Sequence, residues 1–256
     1  MNTPATAVDY WVPALQRGLS VLGMFNAQAR SLSITHIAER LGISPSACYR
    51  ILFTLTEMGY LKKAGQLYEL GPQVISDGFS YLASRDIVDI AMPHLNALRD
   101  RTSLSAHLSI REQTDSLYLC RAFAAQRLSV NIPIGTRLPC HCTAMGRVLL
   151  SGLEDAEMAA LYQSVRLDGY APPAPRTMPE LTGLINDDRE RGWVLHRSDY
   201  STAIAGGLRD HTGRIIAAIN ASGPDAVMDG EATQGLLIKE VLQTCAQISR
   251  ELGFKA

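Results

Sequence analysis

The sequence predicts an α+β protein in two parts: a small helical head that ends in a hairpin, and a larger part that combines an antiparallel sheet with helices. Two observations indicate this fold. Three stretches of helical periodicity and two short strands fit within roughly the first 70 of the 256 residues, and helical and alternating patterns recur from there to the C-terminus. With 46% hydrophobic and 19% charged residues, the chain is apolar enough to form packed cores and long enough for two modest domains.

The composition also excludes several classes of protein. No run approaches the roughly eighteen uncharged apolar residues of a membrane span, and the opening residues lack the basic start and apolar centre of a secretory signal. We therefore expect a cytoplasmic protein with no membrane partner. The five cysteines are scattered and odd in number, which argues against a disulfide framework.

The charge is distributed unevenly along the chain. Residues 10–73 contain six Lys or Arg against three Glu, which gives +3, while the rest carries 18 basic against 22 acidic residues, which gives -4. A basic head on an acidic body would direct one end of the molecule toward phosphate groups. The difference is small and is common between two ordinary domains.

The first predicted helix covers residues 14–25. Within it Leu15, Leu19 and Leu22 recur near the 3.6-residue period, which predicts an amphipathic helix. A polar stretch over residues 26–31 follows the helix and is predicted to be a loop.

A second and a third helix follow in close succession. Residues 33–41 have the helical period, and Gly42 supplies the end of this short helix. Ser44 is then placed to cap a third helix, with Pro45 at its first position, where a missing amide hydrogen costs nothing. The pattern is a helix-turn-helix.

The third helix has two different faces. Its predicted inward stripe consists of Cys48, Ile51, Leu52, Leu55 and Met58. Its outer face is short-chained and carries little charge, which is typical of a helix that enters a DNA major groove; the outer or boundary residues are Ser46, Ala47, Tyr49, Arg50, Phe53 and Thr54.

A β-hairpin directly after this helix would form a wing. Residues 60–63 and 66–70 are predicted to be its strands, and Lys62 and Lys63 lie on the first of them, placed for contacts to the DNA backbone. The candidate DNA-binding residues are Thr35, Ser44, Ser46, Ala47, Tyr49, Arg50, Thr54, Lys62 and Lys63. The alternatives are a winged helix that binds only protein, and a solvated strand that carries the lysines for solubility.

The larger part follows a predicted linker helix over residues 73–85. Helices are predicted over 87–101, 143–151, 154–161, 180–191 and 233–252. Strands are predicted over 105–111, 117–121, 192–195, 203–208 and 215–222. An antiparallel sheet with helices packed around it fits this order. The predicted domains are therefore residues 10–72, the linker helix 73–85, and residues 86–256.

The run Cys140-His141-Cys142 raises two chemical alternatives. A structural zinc site needs four ligands, usually in two spaced pairs, and the sequence offers no second Cys/His pair. A Cys- or Ser-dependent enzyme is the other alternative, but adjacent residues of a loop point apart and no Gly-x-Ser-x-Gly elbow, phosphate loop or HExxH pair is present. We expect no metal, no cofactor and no catalytic activity.

Two sets of motifs resemble the IclR family of bacterial regulators, named for the isocitrate-lyase regulator. In the head they are Leu15-Gln-Arg-Gly-Leu-Ser-Val-Leu22, Ile37-Ala-Glu-Arg-Leu-Gly-Ile43 and Glu57-Met-Gly-Tyr-Leu61. Beyond it they are the segment from Gly135 to Leu150, which contains LPCHCTAMG, and Ile204-Ala-Gly-Gly-Leu-Arg-Asp210. The resemblance covers nearly the whole chain and implies a GAF-like effector domain. Pro45 and Ala47 depart from the family's usual recognition-helix residues, so base preferences cannot be transferred.

The resemblance also implies a small-molecule pocket in this domain. The candidate effector-binding residues are Leu138, His141, Cys142, Ala144, Met145, Asp199, Ala205, Gly207, Asn220 and Ser222. Thr143 is placed to cap a helix whose free amide groups would suit an anion. The alternative for Asn220 and Ser222 is that they only satisfy backbone groups at a strand end.

Together these observations predict a ligand-responsive transcriptional regulator, either repressor or activator, of a catabolic or efflux operon. Its expected partners are double-stranded operator DNA, a small organic acid or aromatic effector, and further copies of itself as a homodimer or homotetramer. A protein-interaction winged helix and, less favoured, a Cys/His-dependent enzyme are the alternatives.

Overall fold

The computed structural model describes residues 11–26, 28–83, 86–124, 132–170, 173–198 and 201–255. The chain divides into two compact units, one up to residue 84 and one from residue 85 onward. We refer to them as the head and the sensing unit. The predicted α+β fold, with a winged helix-turn-helix head and an antiparallel sheet flanked by helices, is confirmed.

The described part of the head contains four helices and three strands. In chain order these are α1 Pro13–Leu22, β1 Ser31–Ser33, α2 Ile34–Leu41, α3 Pro45–Glu57, β2 Leu61–Ala64, β3 Leu67–Leu70 and α4 Gln73–Ala83. The last of these helices occupies most of the predicted linker.

Local capping places the helix-turn-helix where the sequence predicts it. The Ser33 hydroxyl accepts the amide of His36 at the start of α2, and Gly42 ends that helix in the left-handed conformation with φ 63°. The Ser44 hydroxyl accepts the amide of Ala47 at 3.3 Å, with Pro45 in the first turn of α3. Both helices therefore begin at capped residues.

The wing is part of a three-stranded sheet with the order β1-β3-β2. Strand β1 was not predicted, because three residues are too few for a period to be visible. It pairs antiparallel with β3, where Ser31 lies opposite Glu69 and its hydroxyl donates to the Glu69 carboxylate at 3.0 Å. This pair fastens the wing to the segment before α2.

The head core is formed by α1, α2, α3 and the wing. Its buried members are Val21, Phe25, Leu32, Ile37, Ala38, Cys48, Leu52, Leu61 and Tyr68. One prediction is wrong in detail, and two leucines of the α1 period are exposed. Leu15 and Leu19 are each 61% exposed, since Gly18 and Val21 form the buried side of α1. Met58, predicted to face inward, is 57% exposed because it lies just past the end of α3, where the helical period no longer applies.

Six helices and six strands lie within the described residues of the sensing unit. In chain order these are α5 Asp86–Thr102, β4 Ser105–Glu112, β5 Asp115–Ala122, β6 Arg137–Pro139, α6 Ala144–Ser151, α7 Asp155–Tyr162, α8 Met178–Arg191, β7 Val194–Ser198, β8 Ser201–Arg209, β9 Ile215–Pro224, α9 Asp225–Met228 and α10 Glu231–Glu251. Short 3-10 turns cover Cys140–Cys142 and Leu167–Gly169. The short strand β6 was not predicted, and β7 begins and ends later than the predicted 192–195.

All six strands pair antiparallel in the order β6-β5-β4-β9-β8-β7. Different helices pack on the two faces of this sheet. A Cβ on Gly206 would lie 2.7 Å from Cys245 Sγ, so this side of β8 is packed tightly on α10. The neighbouring Ala205 points to the other side and packs with Met145 of α6. We call this second side the α6 face.

A buried ion pair joins α6 to α8 on the α6 face of the sheet. Arg147 of α6 donates two hydrogen bonds to the Asp188 carboxylate of α8, at 2.7 and 2.6 Å. Both side chains are nearly or fully inaccessible to water, at 8% and 0% exposure. The pair fixes α8 on α6.

No helix among the described residues combines the length and apolar character that a membrane crossing requires.

Candidate functional sites

The outer face of α3 forms an exposed surface of small, polar and aromatic side chains. Ser46, Arg50 and Thr54 are exposed on it, and Ala47 is half-buried at its edge. Tyr49 is 51% exposed. These five predicted residues therefore lie on one accessible helix face, with a composition that suits contact with base edges and phosphate.

Phe53 belongs to the same face, although it was not among the predicted site residues. It is 53% exposed, and its ring centroid lies 6.4 Å from that of Tyr49. An aromatic ring left in water on a helix whose other side forms the core is a signal of function, since folding does not require that exposure. Helical periodicity already placed Phe53 outside, so the sequence contained the signal.

Two other predicted residues lie at helix starts. Thr35 is exposed in the first turn of α2. The Ser44 hydroxyl caps α3 and lies 3.1 Å from the Ser46 hydroxyl. Ser44 therefore has a structural role in addition to its predicted contact with DNA.

The two wing lysines differ in their surroundings. Lys62 Nζ lies 3.2 Å from the Glu69 carboxylate, and this hydrogen bond is the largest cause of the lowered pKa of Glu69. Lys63 is exposed and, within the part of the chain that the structure describes, forms no ion pair. Lys63 is thus the more available of the two for a phosphate.

The sensing unit has a buried polar cluster on the α6 face of its sheet. His107 of β4 lies opposite Asn220 of β9, and Ser222 lies two residues further along β9. The three side chains are only 1%, 4% and 3% exposed. His107 was not predicted; the signal in the sequence was the polar alternation of Ser105, His107 and Ser109 in a strand that is otherwise apolar.

Hydrogen bonds determine which His107 nitrogen carries the proton. The backbone amide of His107 donates to Asn220 Oδ1 at 3.2 Å, which orients the Asn220 amide with its oxygen toward β4. His107 Nδ1 lies 3.1 Å from the same oxygen and must therefore be the protonated nitrogen. Burial lowers the pKa of His107 to about 4, so the ring is neutral near pH 7 and Nε2 is a bare acceptor.

Two atoms of this cluster have no hydrogen-bond partner among the residues that the structure describes. They are His107 Nε2 and Ser222 Oγ, both fully buried. Native structures rarely leave buried polar atoms unpaired, because each such atom costs free energy. Arg121 of β5 lies opposite His107, and its charge contributes to the lowered pKa of that histidine. The cluster therefore combines a hydrogen-bond acceptor, a hydroxyl and a nearby cation.

Four predicted pocket residues pack together on the same face. They are Leu138, Ala144, Met145 and Ala205, in one apolar cluster with Tyr118. Met145 Sδ lies 3.5 Å from the Ser109 hydroxyl. The cap of α6 is formed as predicted, since Thr143 Oγ1 accepts the amide of Gly146 at 3.1 Å. With Gly207, Asn220 and Ser222, seven of the ten predicted residues share this face.

His141 lies elsewhere. Its ring makes edge contacts with Tyr162 and Tyr170, with centroids 5.7 and 4.4 Å away, in the region of α7. Its Nδ1 lies 3.5 Å from the Tyr162 hydroxyl. Successive residues of a 3-10 turn point in different directions, so His141 and Cys142 cannot both face one pocket. Cys142 is half-buried beside it.

Gly207 lies two residues after Ala205 in β8 and is therefore on the α6 face as well. Gly207 pairs with Ala218, and a Cβ there would lie 3.1 Å from Ile215 Cδ1, so Ile215 occupies the space next to it. Asp199 lies outside the described residues.

The thiols of the Cys-His-Cys run are not poised for chemistry. Burial raises the pKa of Cys140 to about 12 and that of Cys142 to about 11, which keeps both protonated near pH 7. Among the residues that the structure describes, no group of three or more His, Cys, Asp or Glu side chains could hold a metal ion.

Known proteins resemble this chain over both units. A model of the bacterial transcriptional regulator IclR C-terminal domain matches residues 79–250, and a model of the IclR helix-turn-helix domain matches residues 14–65. The Pca regulon regulatory protein of Pseudomonas putida is 30% identical over 246 residues, which cover 94% of this chain and 83% of that protein.

Solved structures resemble the fold. Thermotoga maritima IclR superposes with a TM-score of 0.77 at 23% identity, covering 94% of this chain and 98% of that chain. An IclR homologue from Microbacterium hydrocarbonoxydans, complexed with 4-hydroxybenzoate, has a TM-score of 0.77 at 21% identity and covers 93% and 98%.

The two matched family models and the curated relative agree with the winged helix-turn-helix and with the helix-covered sheet described above. The chain belongs to the IclR family of bacterial transcriptional regulators, and it is a ligand-responsive, DNA-binding regulator of transcription.

Proposed function

We propose that this regulator controls a catabolic or efflux operon in response to a small hydroxylated organic acid or aromatic compound bound on the α6 face of the sensing unit. One observation carries the proposal. His107 Nε2 and Ser222 Oγ lie buried on the same face, and neither has a hydrogen-bond partner among the described residues. A ligand would supply the missing hydrogen bonds.

The chemistry of the cluster specifies the ligand further. Because His107 Nε2 is an acceptor, the ligand must donate a hydrogen bond there, from a hydroxyl or an N–H group. Arg121 nearby favours a negative charge, and Tyr118 with Met145 offers an apolar wall. The Microbacterium homologue was crystallised with 4-hydroxybenzoate, a molecule with both a hydroxyl and a carboxylate. This supports a hydroxylated acid as the effector class.

The DNA contacts proposed for the head are those of α3 and the wing. Ser46, Ala47, Tyr49, Arg50 and Thr54 would face the major groove, with Phe53 added from the geometry. Thr35, Ser44, Lys62 and Lys63 would contact the backbone of double-stranded operator DNA.

Exposed apolar side chains support assembly with further copies of the chain, as a dimer or a tetramer. On and just before α1, Trp11, Val12, Leu15 and Leu19 are 58–61% exposed. On α4, Ile75 and Phe79 are 74% and 68% exposed. Large apolar side chains grouped on a helix surface are typical of interfaces.

In this proposal residues 10–72 bind DNA, residues 73–85 transmit the signal, and residues 86–256 bind the effector and contribute to assembly. Effector binding would change the separation of paired recognition helices through the linker helix. Whether the outcome is repression or activation depends on where the operator lies relative to the promoter.

We also propose that the chain acts in the cytoplasm and has no enzymatic activity of its own. The protonated, buried thiols of Cys140 and Cys142 support the second point, since the thiolate is the nucleophilic form. Its action on genomic DNA supports the first.

A thermal-shift comparison tests the ligand class. 4-Hydroxybenzoate, benzoate and 4-methoxybenzoate share a carboxylate and ring, but only the first can donate a hydrogen bond from the para position. Stabilisation should be strongest with the hydroxylated acid, because a ligand that binds the native state raises its stability according to affinity. If the methoxy compound stabilised the protein equally well, the donor requirement would be wrong.

An electrophoretic shift tests the rest of the proposal. The regulator should bind promoter DNA beside its own gene, with affinity that falls as salt rises. Substituting Asn220 or Ser222 should alter the response to ligand and leave ligand-free operator affinity unchanged. A winged helix that binds only protein would give no salt-dependent shift at all.

A further inference from the structure

A cavity of about 470 Å³ lies in the sensing unit. It is bounded by the C-terminal ends of α6 and α8, by the start of β7, by the ends of β8 and β9 near the turn between them, and by the last turns of α10. Of the predicted effector residues, Gly207 lines it. Neither His107 nor Asn220 nor Ser222 lines it. Its volume falls in the range of about 300–1,000 Å³ that small-molecule pockets have.

The inner wall of the cavity is apolar and rigid. Trp193, Ile215, Leu242 and Phe254 contribute to it. On one side of Trp193 the Arg191 guanidinium lies 5.5 Å from the ring centroid, which holds the indole in place. This wall would accept a hydrocarbon or aromatic body without rearrangement.

The mouth of the cavity carries cations that are not neutralised. Arg209 is anchored by its Nη1 bond to the Gly213 carbonyl at 2.7 Å, and Arg250 by its Nε bond to the Ala246 carbonyl at 3.2 Å. Both are exposed, and neither forms an ion pair with any described carboxylate. A guanidinium has five N–H donors, so each arginine keeps donors beyond these bonds.

The acidic residue that lines the cavity does not offset this charge. The Asp188 carboxylate is engaged by two hydrogen bonds from Arg147 and a further one from Arg191. Three arginines line the cavity; Arg189 is paired with Asp155, and Arg209 and Arg250 are the two that form no ion pair with a described carboxylate.

We propose that this cavity is a second ligand site, for an amphipathic carboxylate whose hydrocarbon part lies against Trp193 and whose carboxylate binds Arg209 and Arg250. Arginine pairs well with carboxylates because its planar fork matches the two oxygens. The site does not depend on the effector pocket proposed above. It would give the regulator a second chemical input.

The chain offers a specific optical reporter for this test. It contains two tryptophans, Trp11 and Trp193, and only Trp193 lines the cavity. In a full-length Trp11→Phe protein, all tryptophan emission comes from the cavity wall. Octanoate is a suitable probe because it absorbs no light where tryptophan does and joins an apolar chain to a carboxylate.

Titration with octanoate should change Trp193 emission in a saturable way. Octylamine, with the same chain and the opposite charge, should bind at least tenfold more weakly. In the Arg209→Gln, Arg250→Gln double variant the octanoate Kd should rise at least tenfold. The matched control is Arg214→Gln, an exposed arginine of the adjacent turn that does not line the cavity, and it should leave the Kd within twofold.

A blocking variant tests the location. Ala246 is exposed at the cavity, so Ala246→Phe in the Trp11→Phe background should fill the opening without crowding the core. Phenylalanine is used because a second tryptophan would obscure the Trp193 emission. Loss of the octanoate response in this variant supports the site. An unchanged response, or equal binding of octylamine, overturns the proposal. So does emission that depends on protein concentration alone, since a second copy of the chain would then occupy the cavity.

Discussion

The two functional surfaces of this regulator present their polar groups in opposite ways. On α3 of the head, Tyr49 and Phe53 are about half exposed, while Cys48 and Leu52 on the other side of the helix are fully buried. In the sensing unit, His107, Asn220 and Ser222 are themselves almost completely buried. The proposed DNA-binding face is exposed to solvent, whereas the proposed pocket face holds two buried polar atoms that have no partner among the described residues.

This difference determines what a substitution does. On the head, a change to the binding face removes contacts with DNA and leaves folding nearly untouched, because exposed side chains contribute little to stability. In the sensing unit, polar groups are part of the packed interior, so binding and stability change together.

The largest effect is expected for Asp188→Ala in the sensing unit. The substitution leaves the Arg147 charge buried without its bidentate partner, which should lower the free energy of unfolding by about 3–5 kcal/mol. Urea denaturation followed by Trp193 fluorescence, in the Trp11→Phe background, measures it. The counterpart in the head is Lys62→Ala, which breaks the exposed pair with Glu69, keeps the Ser31–Glu69 hydrogen bond and should leave the midpoint, followed by circular dichroism, almost unchanged. Equal losses in the two variants would remove the contrast.

The next effect is an acid sensitivity that depends on His107. Its folded pKa of about 4 lies below the unfolded value of roughly 6.5, so at pH values between the two the unfolded chain binds a proton that the folded chain does not. The contribution of His107 to the free energy of unfolding should be fully present above about pH 6.5. It should decrease by up to about 3 kcal/mol as the pH drops toward 4.

The test compares wild type with His107→Gln by denaturation at pH 7 and pH 5. His141 and His196, whose pKa values burial also lowers, are present in both proteins, so their contributions cancel. The variant should lose less stability between the two pH values. An identical loss would show that His107 is accessible to protons in the folded state.

A smaller effect, confined to DNA affinity, is expected for Arg50→Ala. The side chain is exposed on α3, and removing a base or phosphate contact should weaken operator binding by about 1–3 kcal/mol, roughly 5- to 150-fold. Fluorescence anisotropy with labelled operator measures it. Arg166→Ala, which changes an exposed arginine of the sensing unit, is the control and should not affect affinity. Unchanged affinity in a well-folded Arg50→Ala protein would show that Arg50 does not contact the operator.

The smallest effects are expected for the side-chain caps of helices, which occur in both units. Ser44 and Thr143 each cap a helix by accepting a backbone amide, so Ser44→Ala and Thr143→Ala should each cost about 1 kcal/mol of stability. Ser44→Ala should also weaken operator binding, and Thr143→Ala should not. Ser20→Ala, an exposed serine within α1, is the neutral control.

Much of the head could be predicted from the sequence. The caps of α2 and α3 and the Gly42 stop are local, so the residues that produce them stand within a few positions of one another. Exposure departs from the helical period where contacts with distant parts of the chain determine which side of a helix is buried. Leu15 and Leu19 have the spacing of a core stripe, yet they are exposed, because the core contacts α1 through Gly18 and Val21.

The pocket was less predictable for the same reason. Seven of the ten predicted residues share the α6 face, but His141 turns toward Tyr162, and Ile215 fills the space beside Gly207. His107 was missed although it belongs to a polar alternation in β4, because nothing close to it in the sequence shows what it pairs with. Its partner Asn220 is 113 residues away.

The sequence by itself determined the class of protein, the order of its elements and the exposed face of the recognition helix, because periodicity, capping and family motifs act over short stretches of chain. Only the tertiary structure decided which polar side chains meet in the interior. That depends on the register of β4 against β9 and on the placement of α6 across the sheet, and a one-residue change in register would move every one of these side chains to the opposite face.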